Sequence, residues 1–277
     1  MTFKETMSCA RKLLDASHID DASLEGELLF RQAIGLSRTQ LYSDLEHEID
    51  PEQEAAFWQM VEHRLNGEPS AYIIGRREFY GLDFIVDPGV LIPRPESELL
   101  VEKTLSLAGN RKAPVIADIG TGCGAIAVSL AVNLPQARIY ATDISATALG
   151  VAAINCRKHQ VADRIRLLCG DMLEPLPEPV DFIVANLPYV KLSDIDDHCP
   201  EPLLALAGGA DGLEKIKHLI HQVDGKLNPS GCLLLEMGLG QRAAITSLLH
   251  YLFPTAGLEV IPDLGGIDRV VSMALSQ

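Results

Sequence analysis

Four groups of residues in this 277-residue chain have types and spacings that can do chemistry. Asp118-Ile119-Gly120-Thr121-Gly122-Cys123-Gly124-Ala125 follows an apolar run and opens an alanine-rich one. Glycines at such a junction let the backbone turn tightly and come close to a ligand. Two readings stay open here. Gly120, Gly122 and Ala125 satisfy the dinucleotide pattern G-x-G-x-x-G/A, while Asp118 with Gly120, Gly122 and Gly124 has the form D-x-G-x-G-x-G. Asp143 lies 18 residues beyond Ala125 and ends the next β-type run. In either cofactor class a carboxylate here accepts hydrogen bonds from ribose hydroxyls. The alternative role, a helix N-cap, can fall to Ser145. Asp171 closes a third β-type run, placed to accept from an adenine amino group, with Met172 able to lie against the ring. A plain strand-end turn is the alternative there.

The fourth group, Asn186-Leu187-Pro188-Tyr189, ends a fourth β-type run, at the crevice edge where open α/β sheets bind ligands. A hydride-transfer enzyme has no particular use for it. Methyl transfer to a planar nitrogen does, because the delocalised lone pair of an amide or aniline-like nitrogen makes a poor nucleophile that must be aligned with an electrophilic methyl. The Asn186 side-chain oxygen and the Leu187 main-chain carbonyl can accept the two N–H bonds. Pro188 sets the turn that aims that carbonyl, and Tyr189 offers a flat face to a planar substrate. Rate enhancement then comes mostly from alignment.

These groups need a sheet to hold them in line. From about residue 113 strand-like and helix-like runs alternate: VIADI (115–119), a helix over 123–133, RIYATD (138–143), a helix from Ser145, IRLLCGD (165–171) and DFIVAN (181–186). After a loop-like stretch over 187–210, Leu213, Ile216, Leu219, Ile220, Val223 and Leu227 mark an amphipathic helix. GCLLLEMG (231–238) and two runs flanking Gly265-Gly266 complete the β-type segments. Such alternation predicts a mostly parallel, doubly wound sheet. The first 70 residues read as helical, around 3–16, 22–35 and after Pro51, where Asp50 caps, Gln53 completes a capping-box spacing and Phe57, Met60, Val61 and Leu65 share a face. Residues 71–92 are β-rich and broken by glycine, which predicts one or two hairpins.

Composition narrows the partners. The net charge is −15, spread evenly: residues 1–84 carry 8 basic and 16 acidic side chains, the remainder 15 and 22. That sign does not steer the chain toward phosphate backbones or anionic membranes. The N-terminus has no long apolar stretch and no 18-residue apolar window occurs, so neither signal peptide nor membrane span is expected. Cys9, Cys123, Cys156, Cys169, Cys199 and Cys232 form no C-x-x-C pair and are expected as reduced thiols packed like small hydrophobes. No metal site is expected; His218 and His221 read as a solvated helix face.

Further blocks carry a resemblance. Arg77-Glu78-Phe79-Tyr80-Gly81, Leu91-Ile92-Pro93-Arg94-Pro95-Glu96-Ser97-Glu98, Glu201-Pro202-Leu203-Leu204-Ala205-Leu206, Gly208-Gly209-Ala210-Asp211-Gly212-Leu213 and Asp268-Arg269-Val270-Val271 join the glycine loop. Together they resemble the PrmC/HemK family of peptide chain release factor glutamine N5-methyltransferases over nearly the full length. The family's L-I-P-R-P-E-T-E segment has threonine where Ser97 stands, a change that keeps the hydroxyl. The family usually carries Asn-Pro-Pro-Tyr; Leu187 is a departure more typical of ribosomal RNA adenine dimethylases, although it keeps the main-chain carbonyl.

The resemblance implies a small N-terminal helical domain over 1–70 that docks the substrate protein, a β-hairpin linker over 71–92, and over 93–277 a Rossmann-like class I methyltransferase domain with a mostly parallel seven-stranded sheet. It implies S-adenosylmethionine as cofactor, held by Gly120, Thr121, Gly122, Cys123, Gly124, Asp143, Asp171, Met172 and Asn186. It implies catalysis by Asn186, Leu187, Pro188 and Tyr189 on the glutamine of the Gly-Gly-Gln loop of class I release factors. A cytoplasmic monomer without metal or direct nucleic-acid contact is expected. The competing expectations are a nucleic-acid adenine methyltransferase, an NAD-dependent oxidoreductase and a non-catalytic cofactor-binding module.

Overall fold

The computed structural model describes residues 1–109 and 111–276, which form two compact units, Met1–Arg76 and Arg77–Gln277. The first is helical: α1 (Phe3–Ala16), α2 (Ala22–Ile34), α3 (Arg38–Ser43), α4 (Pro51–Leu65) and α5 (Ser70–Ile74). Local chemistry sets the helix starts. Thr2 with Glu5 and Ser37 with Gln40 form capping boxes at α1 and α3. At α4 Pro51 occupies the first turn and the Asp50 carboxylate accepts from the Glu52 N–H at 2.9 Å, so Gln53 takes no part in a reciprocal box. Phe30 is the centre of the core, edge-on to Phe3 (5.3 Å, 72°) and to Phe57 (5.0 Å, 85°). Phe57 and Val61 are buried as their shared face requires, whereas Leu65 is exposed.

The second unit begins with β1 (Arg76–Phe79) and β2 (Leu82–Ile85), which form a two-stranded sheet. They turn at Tyr80-Gly81, both with positive φ, as the right-handed twist of a two-residue hairpin demands. This is the single hairpin between 71 and 92. Residues 70–74 are helical despite their β-rich composition, because Pro69 leads into the turn and Gly75, at φ 75°, ends it in a left-handed cap.

Seven strands follow: β3 (Val115–Ile119), β4 (Arg138–Asp143), β5 (Ile165–Cys169), β6 (Val180–Ala185), β7 (Leu227–Glu236), β8 (Gly257–Pro262) and β9 (Asp268–Ala274). Their order is β5-β4-β3-β6-β7-β9-β8, parallel from β5 to β7, with β9 antiparallel to both neighbours. The interleaved helices are α6 (Glu98–Ala108), α7 (Ala125–Asn133), α8 (Ala146–Lys158), α9 (Leu203–Leu206), α10 (Glu214–Gln222) and α11 (Arg242–Leu252). The central strands β3 and β6 are mostly apolar because both faces are covered, Asp118 and Asp181 being the charged exceptions. α7 is buried all round from Ala125 to Ala131. The doubly wound sheet expected from alternation is therefore present.

Some elements differ from the sequence reading. α6 and α11 are additional to the elements expected from sequence, and so is the six-residue α3, although Ser37 and Gln40 give it a capping-box start. α9 lies in the stretch read as loop. α10 ends at Gln222, and Leu227, expected to extend its apolar stripe, starts β7, because Gly225 (φ 70°) turns the chain between them. Cys123, Cys156 and Cys232 are buried, but Cys9 and Cys169 are exposed and Cys199 is half-buried, so only half of the cysteines pack as core hydrophobes; all six are free thiols. Among the described residues no helix is long and apolar enough to cross a membrane.

Candidate active site

Register places the four groups along one edge. β3 moves outward to β4 and β5, then the chain crosses to β6 on the other side of β3, so the order reverses between β3 and β6. Ile119 pairs with Thr142 and Ala185, and Asp143 with Cys169. The residues that end or follow these strands, Gly120, Asp143, Asp171 and Asn186, therefore open onto a common crevice at the carboxyl ends, the position where such sheets bind ligands. Gly120, Gly122, Asp143, Asp171, Met172, Asn186, Leu187 and Pro188 all line it. Gly89-Val90-Leu91 and Pro202, Leu204 and Ala205 close the sides, and Lys215 reaches the rim.

The glycine loop is built by positive φ at Gly120 (69°), Gly122 (56°) and Gly124 (85°). At Gly120 a side chain would meet Leu187 Cδ2 at 3.2 Å, so the loop and the Asn186-Leu187 turn are fitted to each other. Asp143 stiffens the loop: its Oδ2 accepts from the Gly122 N–H at 2.9 Å and its Oδ1 from the Ser145 N–H at 2.9 Å. The N-cap of α8 is Ser145, whose hydroxyl accepts from Ala148, which leaves Asp143 at the crevice. Asn155, fully buried in α8, donates to the Cys123 and Ile85 carbonyls and so ties β2 and the loop to one helix.

Thr121, Cys123 and Gly124 turn away from the crevice. The Thr121 hydroxyl donates to Asp118 Oδ2 at 2.6 Å, and Gly124 packs on Ala152. Burial pushes the Cys123 thiol up to about 12, so it stays protonated. Asp118 is buried, its Oδ2 also accepting from the Ala127 N–H at 3.1 Å while Oδ1 has no described partner; desolvation pushes it up to about 7 against those two donors. On the far side Asp171 Oδ2 lies 2.8 Å from His218 Nε2. His218 is exposed on α10, as the sequence reading of a solvated helix face has it, and from that face it pairs with an acid of the site.

The Asn186-to-Tyr189 turn is held from several directions. Asn186 Nδ2 donates to Ser97 Oγ at 2.8 Å, and Ser97 Oγ donates to Glu236 Oε2 at 2.6 Å. The Tyr189 hydroxyl donates to Glu236 Oε1 at 3.3 Å. Burial, followed by the charge of Glu236, pushes that phenol up to about 12. Gln241 donates to the Tyr189 and Gly212 carbonyls at 3.1 and 3.0 Å. Tyr189 itself is not part of the crevice lining; its ring packs over Gly238 and the core. Among the described residues no hydrogen bond is drawn to the Leu187 carbonyl. Ser97, Glu201 and His218 carry no local signal of a site role. Glu201, beside the crevice-lining Pro202, accepts from Arg94 and, at 3.0 Å, from the Ile92 N–H, next to the crevice-lining Leu91. Glu236 carries one, an acid ending an apolar strand, in Cys232-Leu233-Leu234-Leu235-Glu236.

A parallel sheet that reverses between β3 and β6, with a glycine loop and an Asn-x-Pro-Tyr turn facing each other across the reversal, defines a Rossmann-like methyltransferase. Solved structures show the same fold: a methyltransferase from Pyrococcus furiosus (TM-score 0.56, 20% identity, 72% of this chain and 91% of that one) and a ribosomal protein L11 methylase from Lactobacillus delbrueckii subsp. bulgaricus (TM-score 0.53, 21%, 69% and 84%). Residues 5–75 match the PrmC N-terminal domain and residues 95–212 the methyltransferase small domain. The chain is 42% identical to the release factor glutamine methyltransferase of Moorella thermoacetica, over 97% of both chains, and 37% identical to that of Geobacter sulfurreducens, over 98% of this chain and 95% of the relative. It belongs to the release factor glutamine methyltransferase family.

Proposed function

We propose that this protein transfers a methyl group from S-adenosylmethionine to the side-chain nitrogen of the glutamine in the Gly-Gly-Gln loop of class I peptide chain release factors. The observation that carries this reading is the pair of acceptors at the crevice: Asn186, whose nitrogen is committed to Ser97 and whose oxygen is left to accept, and the adjoining Leu187 carbonyl. Two acceptors side by side match the two N–H bonds of a primary amide.

The crevice fits the cofactor on its own features. Gly120 and Gly122, both at positive φ, keep a wall free of side chains, Asp143 offers a carboxylate to ribose hydroxyls, and Asp171 with Met172 offers an acceptor and a soft apolar face to an adenine. When bound, S-adenosylmethionine supplies an electrophilic methyl on a sulfonium, so no metal is required. The protein's own work is alignment. Asn186 and Leu187 hold the amide NH2, Pro188 fixes the carbonyl's direction, and Tyr189 braces the turn from behind. Asn186 and Leu187 also draw partial positive charge onto the N–H bonds as the nitrogen attacks. Residues 1–76 dock the release factor, with their acidic surface toward a basic partner.

The test is intact-mass analysis of a release factor incubated with the protein and S-adenosylmethionine. One added methyl, mapped to the Gly-Gly-Gln glutamine, is expected. The Asn186→Ala variant is expected to lose about 10²–10³-fold in rate while binding the cofactor as before. Methylation of naked RNA or DNA, with none on release factors, would overturn the reading in favour of adenine methylation. That outcome is opposed by the net charge of −15, which does not steer the chain toward phosphate backbones.

A further inference from the structure

We propose that Ser97 and Glu236 are positioning residues that set which end of the Asn186 amide faces the substrate. This rests on the reading of Asn186 as an acceptor for a substrate NH2. An asparagine amide is nearly symmetric in shape, and turning it by half a rotation would present a donor to a donor. Something must break that symmetry. In this site it is a chain of hydrogen bonds with a fixed sense.

The chain starts at Glu236, at the end of β7 and 2% exposed. Its two oxygens take two hydroxyls, Ser97 at 2.6 Å and Tyr189 at 3.3 Å. A carboxylate only accepts, so both hydroxyls must donate into it. Ser97, 3% exposed, has then spent its proton, and the face it turns to Asn186 carries lone pairs. The Asn186 group that fits is the NH2, seen 2.8 Å away. Its oxygen is thereby directed away from Ser97. The same carboxylate holds Tyr189, so one buried group fixes both ends of the tetrapeptide.

The energetics agree. A carboxylate this deep is costly, and burial raises Glu236 while the Ser97 and Tyr189 hydroxyls pull it back down. An apolar residue of similar size would cost the fold less. Ser97 comes from the Pro-Arg-Pro-Glu turn and Glu236 from a strand end 139 residues later. That turn otherwise reads as a stiff linker, and the relay gives its serine a chemical reason.

Ser97→Ala, Ser97→Thr and Glu236→Leu separate the idea from a merely structural role. Cofactor affinity is followed by calorimetry, kcat and KM by methyl transfer to a release factor, and the amide by the side-chain NH2 resonance of Asn186 in asparagine-labelled protein. Ser97→Ala and Glu236→Leu are expected to keep cofactor affinity and KM within a few-fold, to lower kcat about 10–100-fold, and to lose the exchange protection of the Asn186 NH2. Ser97→Thr, which keeps the hydroxyl, is expected to restore kcat to within a few-fold and the protected resonance with it. Should Ser97→Ala not fold, Glu236→Leu carries the same comparison. Protection and kcat unchanged in Ser97→Ala or Glu236→Leu would overturn the proposal, as would loss in Ser97→Thr equal to that in Ser97→Ala. The resonance needs no substrate. A wild-type protein with a protected Asn186 NH2 and no activity on release factors would sink the proposed function and leave the relay standing.

Discussion

The Gly122 N–H points at Asp143, 2.9 Å from Oδ2. The acid at the end of β4 thus organises the glycine loop at the end of β3 while keeping lone pairs for a ligand. Two roles in one side chain make a sharp prediction. Asp143→Ala is expected to weaken S-adenosylmethionine binding about 10–100-fold, the size of a lost charge-assisted hydrogen bond plus a loosened loop. Asp143→Asn, which keeps an acceptor, is expected to lose less. Calorimetry with the cofactor checks both; unchanged affinity in Asp143→Ala would remove Asp143 from the site.

Asp118 predicts a pH effect. Burial raises it to about 7, so between its ordinary value and 7 the folded protein holds a proton that the unfolded chain has released. Stability from this group is complete at low pH and is lost as pH rises through that window. Asp118→Asn keeps an oxygen for the Thr121 and Ala127 donors and has no charge to bury. Urea midpoints measured from pH 4.5 to 7.5 are expected to show the variant gaining on the wild type as pH rises. A constant difference across the range would contradict the shift.

Two glycines in this unit predict opposite results. A Cβ on Gly208 would lie 2.7 Å from the Tyr189 Cα and 2.8 Å from the Pro188 carbonyl oxygen, both main-chain atoms of the Asn186-to-Tyr189 turn. Gly208→Ala must displace that turn and is expected to lower kcat at least about tenfold. Gly150 is exposed on α8 with nothing within 4 Å of its would-be Cβ. Gly150→Ala is expected to add about 0.5–1 kcal/mol of stability, with methyl transfer unchanged. Urea unfolding and initial rates measure the pair.

The acidic excess of residues 1–84, 16 acidic side chains against 8 basic, predicts a salt effect on docking. Raising salt from about 0.05 to 0.5 M shortens the screening length from more than 10 Å to a few Å, so affinity for a release factor is expected to fall, mostly through the association rate. Surface-immobilised binding kinetics at several salt concentrations test it. Salt-independent association would remove the electrostatic part of the docking proposal.

The parallel sheet is legible in the amino-acid sequence because a strand covered on both faces is mostly apolar, as VIADI and DFIVAN are apart from Asp118, Asp181 and Asn186. Gly120, Asp143 and Asn186 are legible because glycine, acid or Asn-x-Pro-Tyr at the end of such a strand falls where open α/β sheets bind their ligands. Short-range chemistry of this kind is written in neighbouring residues. The contacts that orient the site are not. Ser97 reaches Asn186 across 89 residues and Glu236 across 139, and His218 reaches Asp171 across 47. A serine in a proline-rich turn and a glutamate ending a strand acquire meaning only when the sheet order sets β7 beside β6 and brings the turn before α6 over both. Sequence alone determined which groups could accept a substrate's N–H bonds. Tertiary structure decided which way the amide faces, because hydrogen-bond direction belongs to a network and not to a residue.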